Sequence, residues 1–237
     1  MKTCHFEKRT YVCVHRSAII VLAHRLGALS MVQSLAYQYT QRTGRAHLHN
    51  IAPIANIASI LQYGILSHER ASCLLHHDIS MQDVQDIRSA VIVDHVLQRS
   101  LHQYANLYFD ARNPMLYKRR TMRDSLCVLH VSYGVLDLKE TVVADRNAAA
   151  FYTAFYHPAD ALPKLNFALI FADYWTDDDQ VRYYMRKSIK CAEVLVWECV
   201  PARFIVGASV FSEQSAESLR AQGFLLPIYI DKHLFFC

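Results

Sequence analysis

The 237-residue sequence has neither a GxGxxG turn nor a P-loop, which removes the dinucleotide-fold and NTPase readings that rest on those phosphate cradles. It also lacks CxxC, HExxH and any Cys/His set at zinc-finger spacing. The 13 histidines, His47-x-His49 and His76-His77 among them, therefore read as scattered side chains, and no metal is expected. Seven cysteines, odd in number and irregularly placed, argue against a disulfide framework and for a reducing compartment, here the cytoplasm. The apolar run at residues 18–23 is cut off by His24-Arg25, too short for a signal peptide or a membrane span, so no membrane association is expected. Internal repeats and low-complexity segments are absent. With a net charge of only +4, contact with nucleic acid would have to come from clustered cations.

What is present is a chain 53% hydrophobic, long enough for one domain with a substantial core. Residues 17–39 read as a loosely amphipathic helix and 41–45 (QRTGR) as a linker, which makes 1–45 an N-terminal extension and 46–237 the main domain. The domain opens with a strand broken at Pro53 and a helix carrying Ile54, Ile57, Ile60 and Leu61, with Asn56 as candidate cap and Gly64 at the exit. A polar connection follows over 67–78, of the kind that closes over a ligand. Met81, Val84, Ile87 and Val91 then recur at helical spacing with Arg88 beside that face.

Residues 101–120 read as a strand that turns at Asn113-Pro114, and they pack polar groups among apolar ones densely enough to be taken first as the site itself. Short strands are expected over 125–133, 140–144, 192–200 and 204–210. A helix is expected at 212–221 and a last strand at 226–236, with the acidic run 177–179 as a helix start. This mixture indicates an α+β fold rather than a doubly wound sheet.

Glu193, at the start of a buried strand, could hold a sugar hydroxyl and stabilise positive charge on a ribose carbon, or could be a strand-edge carboxylate paired with Lys190. Arg88 could clamp a phosphate, or lie on the surface with its stem over apolar neighbours. Tyr117, Lys118, Arg119, Arg120 and Arg123 interleave an aromatic with cations as a single-strand channel would, and equally as a solvated basic loop would. Trp175 and Trp197 read as core residues rather than base platforms.

Six segments, in order, resemble the DarT family of bacterial toxins, which ADP-ribosylate DNA bases using NAD. They are HNIAPIANIASILQYGIL, ISMQDVQDIR, YANLYFDARNPMLY, DRNAA, CAEVLV and YIDKHLFF, together spanning about residues 46–236. The resemblance implies an ADP-ribosyltransferase-like fold with a central, split, mostly antiparallel β core flanked by helices. It implies Glu193 and Arg88 as catalytic residues, and His49, Asn50, Ile51, Ala58, Leu66 and Arg88 as NAD contacts. It further implies Tyr117, Lys118, Arg119, Arg120, Arg112 and Asn147 against the substrate, and places 101–120 as scaffold and wall. A single-stranded DNA acceptor and a cognate macrodomain antitoxin are the implied partners. RNA or protein as acceptor, or a catalytically silent nucleic-acid-binding module of the same fold, are the alternatives. Two departures stand out: Asn50 occupies the family's usual histidine position, and Arg146 replaces the glycine of an Asp-Gly-Asn segment.

Overall fold

The short continuous apolar runs at the centre of this sequence's sheet, such as Val194–Val196, become strands buried on both faces. The computed structural model describes residues 33–79, 82–94 and 96–237. Eight strands form the sheet: β1 (His47–Pro53), β2 (Tyr104–Tyr108), β3 (Leu126–Ser132), β4 (Val142–Ala144), β5 (Phe155–Tyr156), β6 (Glu193–Trp197), β7 (Ile205–Val210) and β8 (Ile228–Ile230). Their order is β8-β7-β3-β1-β2-β6-β4-β5. Every pairing is antiparallel except β7 with β8. The fold is therefore α+β with a mostly antiparallel core, as the sequence indicates.

The sheet is split. β1 and β3 pair along their whole length, from His47↔Ser132 to Pro53↔Leu126, and β2 pairs with β6 from Tyr104↔Trp197 to Tyr108↔Glu193. Between β1 and β2 the register has a single pair, His49↔Tyr108. Beyond it the strands part, and the Asn50 side-chain amide donates to the Asn106 carbonyl at 3.2 Å, bridging the opening where ladder bonds would otherwise run. Because directly paired residues share a face, His130, His49, Tyr108 and Glu193 form one row across four strands.

The opposite face carries the main core, including Leu48, Leu107, Leu129, Val131, Val194 and Val196. Helix α1 (Leu35–Thr43), capped by Ser34, packs into it. Tyr39 is fully buried, its ring stacked on Phe109 with centroids 6.0 Å apart and its hydroxyl donating to the Pro158 carbonyl at 2.7 Å. The helix thus runs through residues 41–43, where the sequence suggests a linker. The reason is non-local: Tyr39 finds its partners some 70 to 128 residues away, which local periodicity does not register. Most of the helix expected over 17–39 lies outside the described residues.

Helix α2 (Ile57–Tyr63) ends at Gly64, whose φ of +84° and position against the Val200 carbonyl and Cys199 sulfur leave no room for a Cβ. Asn56 does not cap α2. Its amide instead makes two bonds to the backbone of His77 (2.8 and 2.9 Å), tying the polar connection 67–78 to the start of the helix. Residues 101–120 hold only one strand, β2; the chain then bends, and Asn113 caps helix α4 (Pro114–Lys118) through Met115 and Leu116 N–H. At the C-terminus only Ile228–Ile230 is extended, so the strand expected over 226–236 is shorter than its apolar pattern. Helix α5 (Gln180–Ile189) starts at the acidic run, with Asp179 as its cap, and helix α6 (Glu213–Ala221) is capped by Ser212.

Candidate active site

A cleft of about 460 Å³ opens at the split, within the range of small-molecule sites. Its floor comes from Asn50 and Ile51 of β1 and from Asn106 and Tyr108 of β2, so the site sits where the sheet gives up its ladder. Helix α3 (Gln82–Ala90) closes one wall. Val84, Gln85 and Arg88 line the cleft from one side of the helix, while Ile87 is exposed. The helix is therefore rotated from the apolar face that Val84, Ile87 and Val91 suggest, and it turns its arginine inward. Met81, also assigned to that face, lies outside the described residues.

Arg88 meets Glu193 through two parallel bonds, Nη1–Oε1 at 3.3 Å and Nη2–Oε2 at 3.1 Å. The side chains are 11% and 1% exposed, so this is a buried, bidentate pair. Glu193 Oε1 also accepts from the Ala148 N–H at 2.9 Å. Burial works against the Arg88 charge, but the adjacent carboxylate outweighs it and the guanidinium pKa is raised. Tyr108, paired with Glu193 in the sheet, has its phenol pKa pushed well up by burial and then by that carboxylate. The alternative partner for Glu193 is otherwise engaged: Lys190, 1% exposed, pairs with Asp110 at 2.5 Å and donates to the Ile170 carbonyl at 2.9 Å.

The loop after β4 is locked to this centre. Asp145 accepts from Arg146 and from Ala154 N–H, the Asn147 N–H donates to the Ser188 carbonyl of α5 at 2.9 Å, and the next residue supplies the bond to Glu193. Arg146, where the family resemblance leads one to expect glycine, thus folds back onto its own neighbour. Phe151 and Tyr152, at the loop's outer end, are 92% and 80% exposed and stack edge to face at 5.0 Å.

Of the residues singled out in the sequence, Asn50, Ile51, Leu66, Arg88, Lys118, Arg119 and Asn147 line the cleft, and Glu193 is bonded to one of them. His49 and Ala58 do not. The His49 ring packs edge-on to His130 at 5.6 Å with its Nδ1 buried and unpartnered; Ala58 is exposed on α2. Tyr117, Arg120 and Arg112 also lie outside the lining. Tyr117 packs edge-on to Trp175 and Phe236, Arg120 bonds the Tyr117 carbonyl and covers its ring, and Arg112 donates to the His233 carbonyl. Arg119, though in the lining, donates to the Ile79 carbonyl.

Five residues that the sequence does not single out also line the cleft: Gln85, His68, His102, Tyr184 and Lys187. His68 and His102 face each other at 4.4 Å, and Gln85 Oε1 and His102 Nε2 are buried without a partner. No motif marks them; only the fold brings them together. Orphaned polar atoms beside a guanidinium in a half-apolar cleft suit a ligand with several hydrogen-bonding groups and a negative charge. Among the described residues no group of three or more His, Cys, Asp or Glu could hold a metal, and no helix is long and apolar enough to cross a membrane.

Comparison with known proteins fits this geometry. A fusion protein of Thermosipho africanus, described as a DNA ADP-ribosyl transferase–DNA ADP-ribosyl glycohydrolase, is 33% identical over 182 residues, covering 73% of this chain and 44% of the fusion. This chain therefore spans less than half of that relative's length. The solved structure of Thermosipho africanus DarTG in complex with ADP-ribose superposes with a TM-score of 0.72 at 28% identity, over 81% of this chain and 51% of that one. Thermus sp. 2.9 DarT in complex with ADP-ribosylated single-stranded DNA shares the fold, with a TM-score of 0.69 at 23% identity over 80% of this chain and 95% of that one. A family model covers residues 49–236, and on that match the chain belongs to the DarT family, described as single-stranded DNA thymidine ADP-ribosyltransferases.

Proposed function

We propose that this protein transfers ADP-ribose from NAD to a base of single-stranded DNA, releasing nicotinamide, and that it acts as the toxin of a toxin–antitoxin pair. The buried Arg88–Glu193 pair at the sheet split carries the reading, within a chain of the DarT family. NAD supplies a glycosidic carbon that becomes electron-poor as nicotinamide departs with the bonding pair. Glu193 offers a carboxylate to a ribose hydroxyl and opposes that developing charge. Arg88, its Nη1 and Nη2 each giving one bond to Glu193, has further N–H groups and its positive charge to offer a diphosphate, and the orphaned Gln85 and His102 atoms offer further polar contacts. The raised pKa keeps Arg88 cationic, so it favours ionisation of the acceptor electrostatically; the acceptor N–H proton passes to water as the new bond to the ribose carbon forms and the bond to nicotinamide breaks. The family description names thymidine, whose only acidic N–H is on the ring, and a thymine is the acceptor proposed here. A single strand suits this chemistry because no base pair has to be broken.

The exposed Phe151 and Tyr152, on a loop bonded to Glu193, give the acceptor strand aromatic faces near the reacting carbon. The glycohydrolase half of the Thermosipho fusion supports a macrodomain partner that removes the mark. Incubation with labelled NAD and, separately, single-stranded DNA, RNA and protein tests the reading. One added ADP-ribose mass is expected on DNA alone, and it should be lost in Glu193→Ala, which remains folded. Unchanged modification by that variant refutes the assignment of Glu193, and label on RNA or protein in place of DNA refutes the acceptor.

A further inference from the structure

We propose that Tyr184 and Lys187, at the cleft rim on α5, form a subsite for the nucleotide flanking the acceptor base, its base stacked on Tyr184 and its phosphate paired with Lys187. The inference rests on the single-stranded acceptor proposed above. Both residues line the cleft, and Tyr184 is 58% exposed. Three cations stand on this helix, and two are neutralised: Arg182 and Arg186 each bond Asp177 at 3.0 Å. Lys187 differs. Among the described residues it pairs with no carboxylate, and its ammonium lies 5.4 Å from the Tyr183 ring centroid and 6.0 Å from that of Tyr184.

An aromatic face beside an uncommitted cation is the combination that takes one nucleotide, because any base can stack while the cation meets the phosphate. The position is fixed relative to the reacting centre, since the Asn147 N–H holds the Ser188 carbonyl and the adjoining Ala148 N–H holds Glu193. By contrast, Arg119 and Arg120 of the basic tract are spent on the carbonyls of Ile79 and Tyr117, and Arg112, which precedes the tract, on that of His233. The tract thus presents less free charge to a strand than its composition suggests, whereas Lys187 gives the α5 rim a cation that pairs with no carboxylate among the described residues.

The test uses the full chain, NAD and a thymidine-containing 12-nucleotide single strand, with KM, kcat, salt dependence and the NAD-induced rise in Tm measured in parallel. Tyr184→Ala should raise KM for the oligonucleotide about tenfold at nearly unchanged kcat, and Tyr184→Phe should restore it. Lys187→Ala should weaken oligonucleotide binding and lower the slope of log K against log salt by about one. The NAD-induced Tm rise should persist in all three variants. Unchanged KM in Tyr184→Ala together with an unchanged salt slope in Lys187→Ala would overturn the subsite. A wild-type protein that responds to NAD but modifies no oligonucleotide overturns the acceptor reading and this subsite with it.

Discussion

Neutralising Glu193 offers the sharpest test of the site, because stability and catalysis should respond in opposite ways to a second change. In Glu193→Gln the amide oxygen can still accept the Ala148 N–H and one Arg88 bond, but the guanidinium, 11% exposed, loses its counter-charge. Removing one partner of a fully buried pair costs about 3–5 kcal/mol; Arg88 reaches a cleft open to water, so we expect less than that, about 2–3 kcal/mol. For a domain of this size that is a fall in Tm of roughly 4–12 °C. On the proposed role of the carboxylate in opposing charge present only in the transition state, transfer of ADP-ribose should fall at least about 10²-fold. Adding Arg88→Gln removes the stranded charge, so the double variant should recover most of the lost Tm while remaining inactive. Thermal melts and single-turnover modification of an oligonucleotide supply both readouts. Additive losses of Tm in the double variant would refute the coupled pair, and a fully active Glu193→Gln would refute its role in transfer.

Two further outcomes follow from the packing. Gly64→Ala places a Cβ against Val200 and Cys199 at a φ of +84°, and should cost about 2 kcal/mol or more, read as a lower urea midpoint at constant m. His49 and His130 are held to a pKa of about 4, chiefly by burial. Unfolded, they bind protons near pH 6.5, so the unfolded state binds more protons between pH 6.5 and 4 and stability falls as pH drops through that window. His49 alone contributes as much as about 3 kcal/mol, and Tm measured from pH 7.5 to 4.5 should show the decline; a His49→Gln variant with an equally steep decline would exclude that histidine as a source.

Much of the architecture is written locally. Continuous apolar runs such as Val194–Val196 give buried strands, and side-chain caps at Asp179 and Ser212 mark helix starts that the sequence shows directly. Glu193 and Arg88 stand out through ordered resemblance rather than spacing, and the structure brings them into contact. What the sequence conceals is competition for partners. Asn56 has the chemistry of a cap but bonds His77, because the loop backbone lies within reach and has unmet groups of its own. Arg120 looks like a phosphate ligand by composition and Arg112 a substrate contact by resemblance, yet each satisfies a carbonyl whose position depends on residues distant in sequence or on the fold of α4. Tyr39 has the same history, its neighbours being assembled from across the chain.

The parted strands give the molecule a joint. Each half of the sheet carries its own complete ladder, and the halves share one paired position and one side-chain amide bond, Asn50 to Asn106. Along the slot the halves are therefore joined by side-chain packing in their shared core rather than by a continuous ladder. A bound molecule touching both β1 and β2 would act as a clamp across that joint. The slowing of amide exchange on its arrival should then be concentrated at the junction rather than spread through the sheet.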